Sequence, residues 1–282
     1  MIRINSENPS GREQEIAGWV CSYLSRLGIR PRTHVFQKGR PNVVARLKGS
    51  SRRSLLITPH LDTVPAGKGW HYAPFAGRIV GQRVYGLGAT DCKCNLAVAL
   101  ETIESLCEEN ITLDYDLVFA ATADEESGSR QGLVPLLGKG LFDVDAAVVL
   151  DADDFEVIVA QKGLLHLKVS MRGKAAHGAY PWLGVNAIDQ MSRFLCRLRS
   201  YRFRCVKKNT YLRPPTINAG TVRGGDKVNM VAGWCEAELD IRFLPGMSAK
   251  ELISDVRRMA AAFSSHCSVT VTDLQKPYEI PS

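Results

Sequence analysis

Apolar residues in the first half of the chain recur with two spacings, one typical of helices and one of strands. After Glu13, the residues Ile16, Val20 and Leu24 recur at helical spacing and Gly28 follows, which predicts an amphipathic helix and its end. Short apolar runs then alternate with a second helical segment, NLAVALETIESLCEE; the runs are NVVARL, LLITPH, LVFAATA and AAVVLDA. This alternation predicts an α/β domain with an open, largely parallel sheet that carries helices on both faces.

After about Gly163 the pattern becomes that of a second, smaller domain. Its strand-like and helix-like segments are, in order, LLHLKVSM, NAIDQMSRFLCRLRS, TINAGTV, CEAELDIRF, AKELISDVRRMAAAF and SVTVTDL. This order, β-α-β-β-α-β, is that of ferredoxin-like domains. We therefore predict a first domain over residues 1–163 that continues at 276–282, and an inserted ferredoxin-like domain over residues 164–275.

The composition narrows the class of protein. Among the 282 residues, 45% are hydrophobic and 23% are charged, which is typical of a soluble globular protein. No apolar stretch approaches the roughly 20 residues of a membrane span, and the eight cysteines include no CxxC pair. We expect reduced thiols, a cytoplasmic location and no membrane partner.

The net charge of +7 raises the question of an acidic partner. Much of the excess lies in one run, which contains Arg193, Arg197, Arg199, Arg202, Arg204, Lys207 and Lys208. No recognised nucleic-acid-binding module accompanies this run, so a solvated helix face and loop explains it better than nucleic-acid binding does. We expect no nucleic-acid partner.

Metal-binding residue types follow three of the predicted strands and precede one helix. They are His60 and Asp62 after LLIT, Glu125 and Glu126 after LVFAATA, Asp151 after AAVVL, and Asp91 before the helix. Ligands of open α/β sheets bind beyond the carboxyl ends of the strands, so we expect these side chains to converge. That convergence predicts a functional site at this edge of the sheet.

Each of these residues alone has a structural explanation. Asp91 is a plausible helix cap, Asp151 a plausible turn residue and His60 a plausible packed histidine. Together they would place several repelling carboxylates around one imidazole, and divalent cations would remove that repulsion. Imidazole with carboxylates suits zinc, cobalt or manganese.

The spacing within each motif suggests separate roles. His60 and Asp62 share one face of an extended chain, so Asp62 is placed to hold the far ring nitrogen of a metal-bound His60. The adjacent Glu125 and Glu126 would point in different directions. One of the two then suffices as a ligand, and the other is free to take a proton from an activated water.

These motifs, in this order, resemble metallopeptidase family twenty, a family of dinuclear zinc hydrolases. It includes acetylornithine deacetylase, succinyl-diaminopimelate desuccinylase, aminoacylase and carboxypeptidase G. The resembling segments are HLDTVP, GATDCK and DEESGS, and they are followed by the lid-like segment GKAAHGAYPWLGVNAI. The resemblance runs along essentially the whole chain.

The resemblance implies specific roles in the first domain. His60 would be a ligand of the first metal with Asp62 as its supporting acid, and Asp91 would bridge the two metals. Glu125 would be the general base and Glu126 a ligand of the second metal. Asp151 matches the remaining ligand of the first metal. The implied cofactors are two divalent ions, Zn²⁺ first and Co²⁺ or Mn²⁺ as alternatives.

In the second domain, the resemblance implies a lid that forms a homodimer. His177 would reach the active site of the partner subunit and steady the developing oxyanion. Asn229 and Arg242 would contact substrate, although a turn residue and an edge-strand charge are the respective structural alternatives.

The implied reaction is hydrolysis of the amide bond of an N-acyl amino acid, with a deacetylase or desuccinylase as the model activity. A di- or exopeptidase acting on short peptides is the alternative on the same scaffold. A third possibility is a weakly active or non-catalytic remnant that still forms dimers through its lid.

The chain departs from the family pattern in two respects. Cys92 and Cys94 stand where the family usually has Met and Gly, and we expect Cys94 to pack rather than to bind metal. The family also uses a histidine from a segment beyond the lid, whereas this chain ends at KPYEIPS. We therefore expect a chain that is C-terminally truncated relative to the family, with an incomplete second metal site and low activity.

Overall fold

The computed structural model describes residues 1–151, 156–203 and 209–280. The chain divides into two compact units, Met1–Glu156 and Val157–Ser282. The boundary between the units lies shortly before the predicted one at Gly163, and residues 276–280 belong to the second unit. Arg204, Lys207 and Lys208 of the basic run lie outside the described residues.

The first unit combines three helices with seven strands among its described residues. In chain order they are α1 (Gln14–Arg26), β1 (Arg32–Val35), β2 (Pro41–Leu47), β3 (Ser54–Thr58), β4 (Arg78–Val80), β5 (Arg83–Tyr85), α2 (Lys93–Glu108), β6 (Asp116–Ala121), α3 (Leu133–Gly138) and β7 (Ala146–Val149).

Five of these strands form a mixed sheet in the order β1-β2-β6-β3-β7. Strands β6, β3 and β7 run parallel, whereas β1 pairs with β2 and β2 with β6 in antiparallel register. The short β4 and β5 form a separate antiparallel hairpin. The predicted α/β sheet is therefore confirmed, with its parallel part confined to the three strands whose carboxyl ends carry the candidate ligands.

Strand β6 explains why helices cover both faces of this sheet. All six of its residues are buried, and alternate side chains point to opposite faces. Phe119 packs with residues of α1 and α2, including Leu24 and Leu100, while Val118 packs with Leu136 of α3. The predicted helices on both faces are thus confirmed, and a central strand buried on both sides fixes the register of the sheet.

The second unit contains two helices and six strands among its described residues. They are β8 (Ala160–Gln161), β9 (Gly163–Arg172), α4 (Ala187–Arg199), β10 (Thr216–Gly224), β11 (Trp234–Phe243), α5 (Ala249–Ala261), β12 (Cys267–Gln275) and β13 (Tyr278–Glu279).

Four long strands of the second unit form an antiparallel sheet in the order β10-β11-β9-β12. Alternate residues of β9 are buried, and they form one core with Phe194 of α4 and Val256 of α5. Along the chain, α4 follows β9 and α5 follows β11, so the predicted ferredoxin-like order β-α-β-β-α-β is confirmed. The short strands β8 and β13, from the beginning and the end of the unit's sequence, pair in a separate two-stranded sheet.

The part of the basic run that the structure describes lies largely on α4. Arg193, Arg197 and Arg199 are exposed. The last two occupy the final turn, where their positive charge interacts favourably with the negative end of the helix dipole. None of the helices in the described part of the chain has the length and apolarity that crossing a membrane requires.

Candidate active site

The candidate site lies where β3, β6 and β7 end. Beyond β3, His60 forms a bridge with Thr122, and the Leu61 amide donates to the Thr122 carbonyl at 2.7 Å. Beyond β7, the Leu150 amide donates to the Thr58 carbonyl at 3.0 Å. The three strand ends that sequence patterning singled out therefore meet at one edge of the sheet.

His60 lies at the centre of this edge and is 3% exposed. Its Nδ1 lies 3.0 Å from the backbone carbonyl of Asp62 and 3.5 Å from the Asp62 carboxylate, and both of these groups accept hydrogen bonds. Its Nε2 lies 2.9 Å from Asp91 Oδ1. Asp62 thus fixes the ring, as the spacing predicted, and turns Nε2 towards Asp91.

The protonation of His60 responds to these neighbours. Burial alone lowers the pKa of His60, but hydrogen bonding to Asp62 and Cys92 outweighs it and raises the pKa to about 12. Without a cation, the proton on the imidazole offsets the negative charge of the adjacent carboxylates. A divalent cation at Nε2 would take over that task.

Asp62 is fully buried and connects the separate loops of the site. Its carboxylate accepts hydrogen bonds from the backbone amides of Glu125 at 3.1 Å and Glu126 at 3.2 Å. Asn8 Nδ2 donates to the same carboxylate at 2.7 Å. Burial raises the pKa of Asp62, but hydrogen bonds from His60 and Asn8 outweigh it and hold the pKa below its usual range. Asp62 therefore stays charged and holds the two glutamates in place.

The glutamates stand in a short 3₁₀ turn, Glu125–Ser127. Burial, followed by the charge of Asp151, raises the pKa of Glu125, and burial, followed by the charge of Asp91, raises that of Glu126. The Val64 amide donates to Glu126 Oε1 at 3.2 Å. The predicted acids therefore lie close enough to disfavour one another's ionisation.

Asp124, the first acid of the DEES segment, has a structural task. It adopts a left-handed conformation with φ of 66° and accepts a hydrogen bond from Arg40 Nη1 at 2.7 Å. Arg40 Nη2 also donates to the buried Glu13 at 2.5 Å. The backbone amide of Gln131 donates a hydrogen bond to the other carboxylate oxygen of Asp124 at 3.0 Å. Asp124 thus shapes the turn that presents Glu125 and Glu126.

Asn8, Glu13 and Arg40 are residues that sequence reasoning missed. Asn8 and Arg40 contact Asp62 and Asp124 from positions 54 to 116 residues away along the chain, and Glu13 pairs with Arg40. None of the three follows a predicted apolar strand, and a single polar residue outside a helix is not part of any periodic pattern of apolar residues. No sequence signal used above would have found them.

Asp91 and Cys92 lie directly before α2, and the peptide bond between them is cis. Ligand atoms of His60, Asp91 and Cys92 all lie within 4.8 Å of one another. Cys94 lies on the first turn of α2, and its thiol donates to the Thr90 carbonyl at 2.8 Å. Asp151 is exposed, and its backbone carbonyl accepts a hydrogen bond from Asn95 Nδ2 at 2.5 Å.

This donor set fits a divalent cation. Ligand atoms of one imidazole, one carboxylate and one thiol lie close together at this edge, and burial raises the pKa values of the neighbouring Glu125 and Glu126. Such a mixture of nitrogen, oxygen and sulfur ligands is typical of zinc and its chemical neighbours.

The three site residues predicted for the second unit fall into two places. His177 bridges with Met230, and the Gly178 amide donates to the Asn229 carbonyl at 2.8 Å, so His177 and Asn229 lie in adjacent loops. Asn229 is exposed and occupies a turn before β11.

Arg242 lies near the other end of β11, about 26 Å of strand from Trp234 at the beginning of that strand. Its guanidinium donates to both carboxylate oxygens of Asp240 at 2.8 and 3.2 Å, on the same strand. Asn229 thus occupies a turn, as its structural alternative held, whereas Arg242 lies on an inner strand of the sheet and not on an edge strand. The substrate roles of all three residues stay predictions.

Two family models match the chain. One, described as a peptidase dimerisation domain, matches residues 159–266, and the other, described as peptidase family M28, matches residues 42–140. The first range contains three strands of the four-stranded sheet, β9, β10 and β11, and ends directly before β12. The second range contains His60, Asp62, Asp91 and both glutamates.

Curated relatives match most of the chain. The chain is 34% identical over 243 residues to acetylornithine deacetylase from Vibrio cholerae, covering 84% of this chain and 63% of the relative. It is 32% identical over 262 residues to acetylornithine deacetylase from Vibrio atlanticus, covering 90% of this chain and 68% of the relative. The chain thus spans slightly less than two thirds of the first relative's length.

The fold is also similar to that of solved structures. An M20 family metallo-carboxypeptidase from Sulfolobus solfataricus superposes with a TM-score of 0.72 at 20% identity, covering 98% of this chain and 77% of that one. A tripeptidase from Staphylococcus aureus superposes with a TM-score of 0.74 at 25% identity, covering 99% and 74%. Together with the matched dimerisation domain and the identity to curated relatives, this similarity establishes that the chain belongs to the M20 family of metallopeptidases.

Proposed function

We propose that this protein is a metal-dependent hydrolase that cleaves the amide bond of N-acyl amino acids. The observation that carries the proposal is the arrangement around Asp62, whose carboxylate fixes His60 on one side and the backbone of Glu125 and Glu126 on the other. The 34% identity to acetylornithine deacetylase supports the deacylase activity in particular.

Divalent cations would be held by residues at the edge where β3, β6 and β7 end. His60, Asp91 and Asp151 are the proposed ligands of one ion, and Asp91 and Glu126 contribute to a second, with Zn²⁺ as the proposed metal. When bound, these ions would supply Lewis-acid activation of a water molecule and of the amide carbonyl. One relative in structure, from Bacillus subtilis, is described as a dinuclear metal-binding peptidase of the M20 family.

Glu125 is the proposed general base. Its amide is fixed by Asp62, and burial raises the pKa of its carboxyl group, which brings that pKa closer to neutral pH. A carboxylate of this kind accepts a proton from water and returns it to the leaving amine more readily than an ordinary one. Asp62 is the positioning acid, because both of its oxygens are already engaged.

The second unit is proposed to form a homodimer and to contribute to substrate binding. The match to a peptidase dimerisation domain supports the dimer. His177, Asn229 and Arg242 are the proposed substrate contacts, with His177 acting on the site of the partner subunit. The proposed substrates carry a free carboxylate, for which Arg242 offers a guanidinium.

Peptide hydrolysis is the second candidate function. The similarity to the Staphylococcus aureus tripeptidase, at 25% identity, favours it. Release of acetate or succinate from acylated amino acids, compared with cleavage of di- and tripeptides, distinguishes the two. Faster cleavage of the peptides would replace the deacylase assignment while leaving the proposed base unchanged.

The variant Glu125→Gln tests the role of the base. We expect kcat to fall by about 10²–10⁴-fold, the contribution typical of a positioned general base, with metal content unchanged. Glu108→Gln, at an exposed position near the end of α2, is the matched control and should keep wild-type kcat. Wild-type kcat in Glu125→Gln would contradict the assignment of the base. A wild-type chain that binds metal but hydrolyses none of these substrates would contradict the proposed function.

A further inference from the structure

Two cysteines flank Lys93 beside the proposed metal site, and their thiols have different surroundings. Cys92 is fully buried, and its Sγ lies within 4.8 Å of the ligand atoms of His60 and Asp91. Cys94 is partly exposed, and its Sγ donates to the Thr90 carbonyl four residues earlier. Only the thiol of Cys92 belongs to the group of possible ligands in the described part of the chain.

Neighbouring elements hold the Cys92 thiol at the sheet edge. Cys92 occupies the N-cap position of α2, but its side chain makes no capping hydrogen bond to the helix. The thiol instead donates to the Leu150 carbonyl at 3.0 Å, directly before Asp151. The thiol therefore lies between the residues that follow β3 and those that follow β7, on the side where His60 and Asp91 meet.

The distances suit a shared ion. Ligand atoms of a tetrahedral zinc ion, with bonds of about 2.0–2.3 Å, lie about 3.5 Å from one another. The 4.8 Å limit that encloses the His60, Asp91 and Cys92 atoms accommodates this spacing after small side-chain rotations. The hydrogen bond to the Leu150 carbonyl holds the thiol in this position, and a thiol so close to an imidazole and a carboxylate is a strong ligand of soft cations.

We propose that Cys92 is a ligand of the metal bound at His60, so that this protein uses an imidazole, carboxylate and thiolate donor set. The inference rests on the proposed metal-dependent function. Cys92 binds as the thiolate, and its proton leaves to solvent as the sulfur–metal bond forms. A thiolate ligand favours Zn²⁺, Co²⁺ and Cd²⁺ over Mn²⁺ and Mg²⁺. The metal preference of this site therefore depends on Cys92.

Cobalt titration of the metal-free full chain tests the ligand directly. We expect Co²⁺ to produce a near-ultraviolet band of thiolate-to-cobalt charge transfer in the wild type and in Cys94→Ser, and no such band in Cys92→Ser. In competition with Mn²⁺, Cys92→Ser should lose at least about 10–100-fold in Cd²⁺ affinity, since even an outer-shell partner contributes that much. Its Mn²⁺ affinity should change far less.

The outcomes separate the inference from the proposed function. A wild-type chain that binds no Co²⁺ would contradict both. Binding without the charge-transfer band, or a band that persists in Cys92→Ser, would overturn the role of Cys92 alone. Since Cys92 is buried, its variant can fail to fold; ¹¹³Cd NMR of the wild type then decides, because only a sulfur ligand moves the resonance strongly downfield. A ¹¹³Cd chemical shift of the wild type that is typical of oxygen and nitrogen ligands alone would overturn the proposal.

Discussion

Asp62 has no solvent exposure, yet it contacts three segments that are far apart in sequence. Its carboxylate faces His60 in its own loop. It accepts hydrogen bonds from the backbone amides of Glu125 and Glu126 and from the side-chain amide of Asn8 in the N-terminal segment. A buried carboxylate is stable only when its charge is well solvated by such donors. At this position, the fold therefore depends on the same contacts as the proposed catalysis.

Asn8 offers a test of this dependence. Its side-chain amide donates to Asp62 at 2.7 Å, and its Oδ1 accepts a hydrogen bond from Ser127 Oγ at 2.9 Å. We expect Asn8→Ala to lower the free energy of unfolding by about 1–3 kcal/mol, because it leaves part of the Asp62 charge unsatisfied. Metal affinity should fall as well, since His60 loses its fixed orientation.

Urea unfolding and metal titration measure both effects of Asn8→Ala. Asn218→Ala, at an exposed position of β10, is the control and should change neither quantity. Asn8→Asp should lower the free energy of unfolding more than Asn8→Ala does, because it places a second carboxylate beside Asp62. Equal stability of Asn8→Ala and the wild type would show that water replaces the asparagine without loss.

At the residue scale, the sequence predicted which side chains would gather but not what would hold them. His60 and Asp151 could be predicted because each follows an apolar run typical of a strand, and Asp91 because it directly precedes a helical pattern. Arg40 and Asn8 were not, because each reaches the site through contacts that only the folded chain creates.

At the scale of elements, β6 begins with an aspartate that several hydrogen bonds hold in place. Asp116, its first residue, is buried and accepts hydrogen bonds from the Gly49 amide, Lys48 and Arg46, each at 2.9 Å. The Gly49 amide, followed by the Lys48 hydrogen bond, lowers the pKa of Asp116 from 3.8 to about 2. The charge of Asp116 thus stabilises the start of the central strand.

This lowered pKa gives a pH dependence with a definite sign. The folded-state pKa lies below the unfolded one, so the contribution of Asp116 is complete above pH 3.8 and is lost as the pH falls through about 2. We expect Asp116→Asn to reduce stability at neutral pH and to lose less stability than the wild type between these two pH values. Urea unfolding at a series of pH values measures it.

Asp114→Asn is the matched control for Asp116→Asn. Asp114 pairs with Arg53, but both side chains are exposed, at 67% and 69%. Such surface pairs contribute little to stability. Parallel stability curves for the wild type and Asp116→Asn would contradict the role given to Asp116.

The elements that sequence patterning did not predict share a physical cause. Strand β1 is mostly exposed, β4 and β5 have three residues each, and α3 has six residues that include Pro135. Short or exposed segments need no apolar period, and so they leave none in the sequence. In the second unit, by contrast, the two helices and the four long strands were predicted, and residues of β9 and β11 alternate between core and solvent. The two-residue strands β8 and β13 were not predicted.

At the scale of the whole molecule, each of the two units has its own hydrophobic core. The core of the second unit is built from one sheet face and two helices, and Phe194 is fully buried in it. The first unit has separate clusters on the two faces of its sheet. Damage to one core should therefore leave the chemistry of the other unit intact.

Phe194→Ala tests this independence. We expect a loss of about 3–5 kcal/mol in the stability of the second unit, the usual cost of removing a buried phenylalanine side chain. Binding of the proposed zinc ion by the first unit should be unchanged, and any dimer should weaken. Calorimetry, zinc titration and light scattering give the three readouts, with the exposed Arg193→Ala as the control. Loss of zinc affinity in Phe194→Ala would show that the two units depend on one another.

The chain of charges from Glu13 through Arg40 to Asp124 has a consequence for protein engineering. It joins the start of α1 to the turn that presents the two glutamates, over 111 positions of sequence. A chimaera that took its first helix from one M20 relative and its DEES turn from another would combine two halves of one buried ion network. These two segments have to be taken from the same parent, and crossover points between them carry the greatest risk of misfolding.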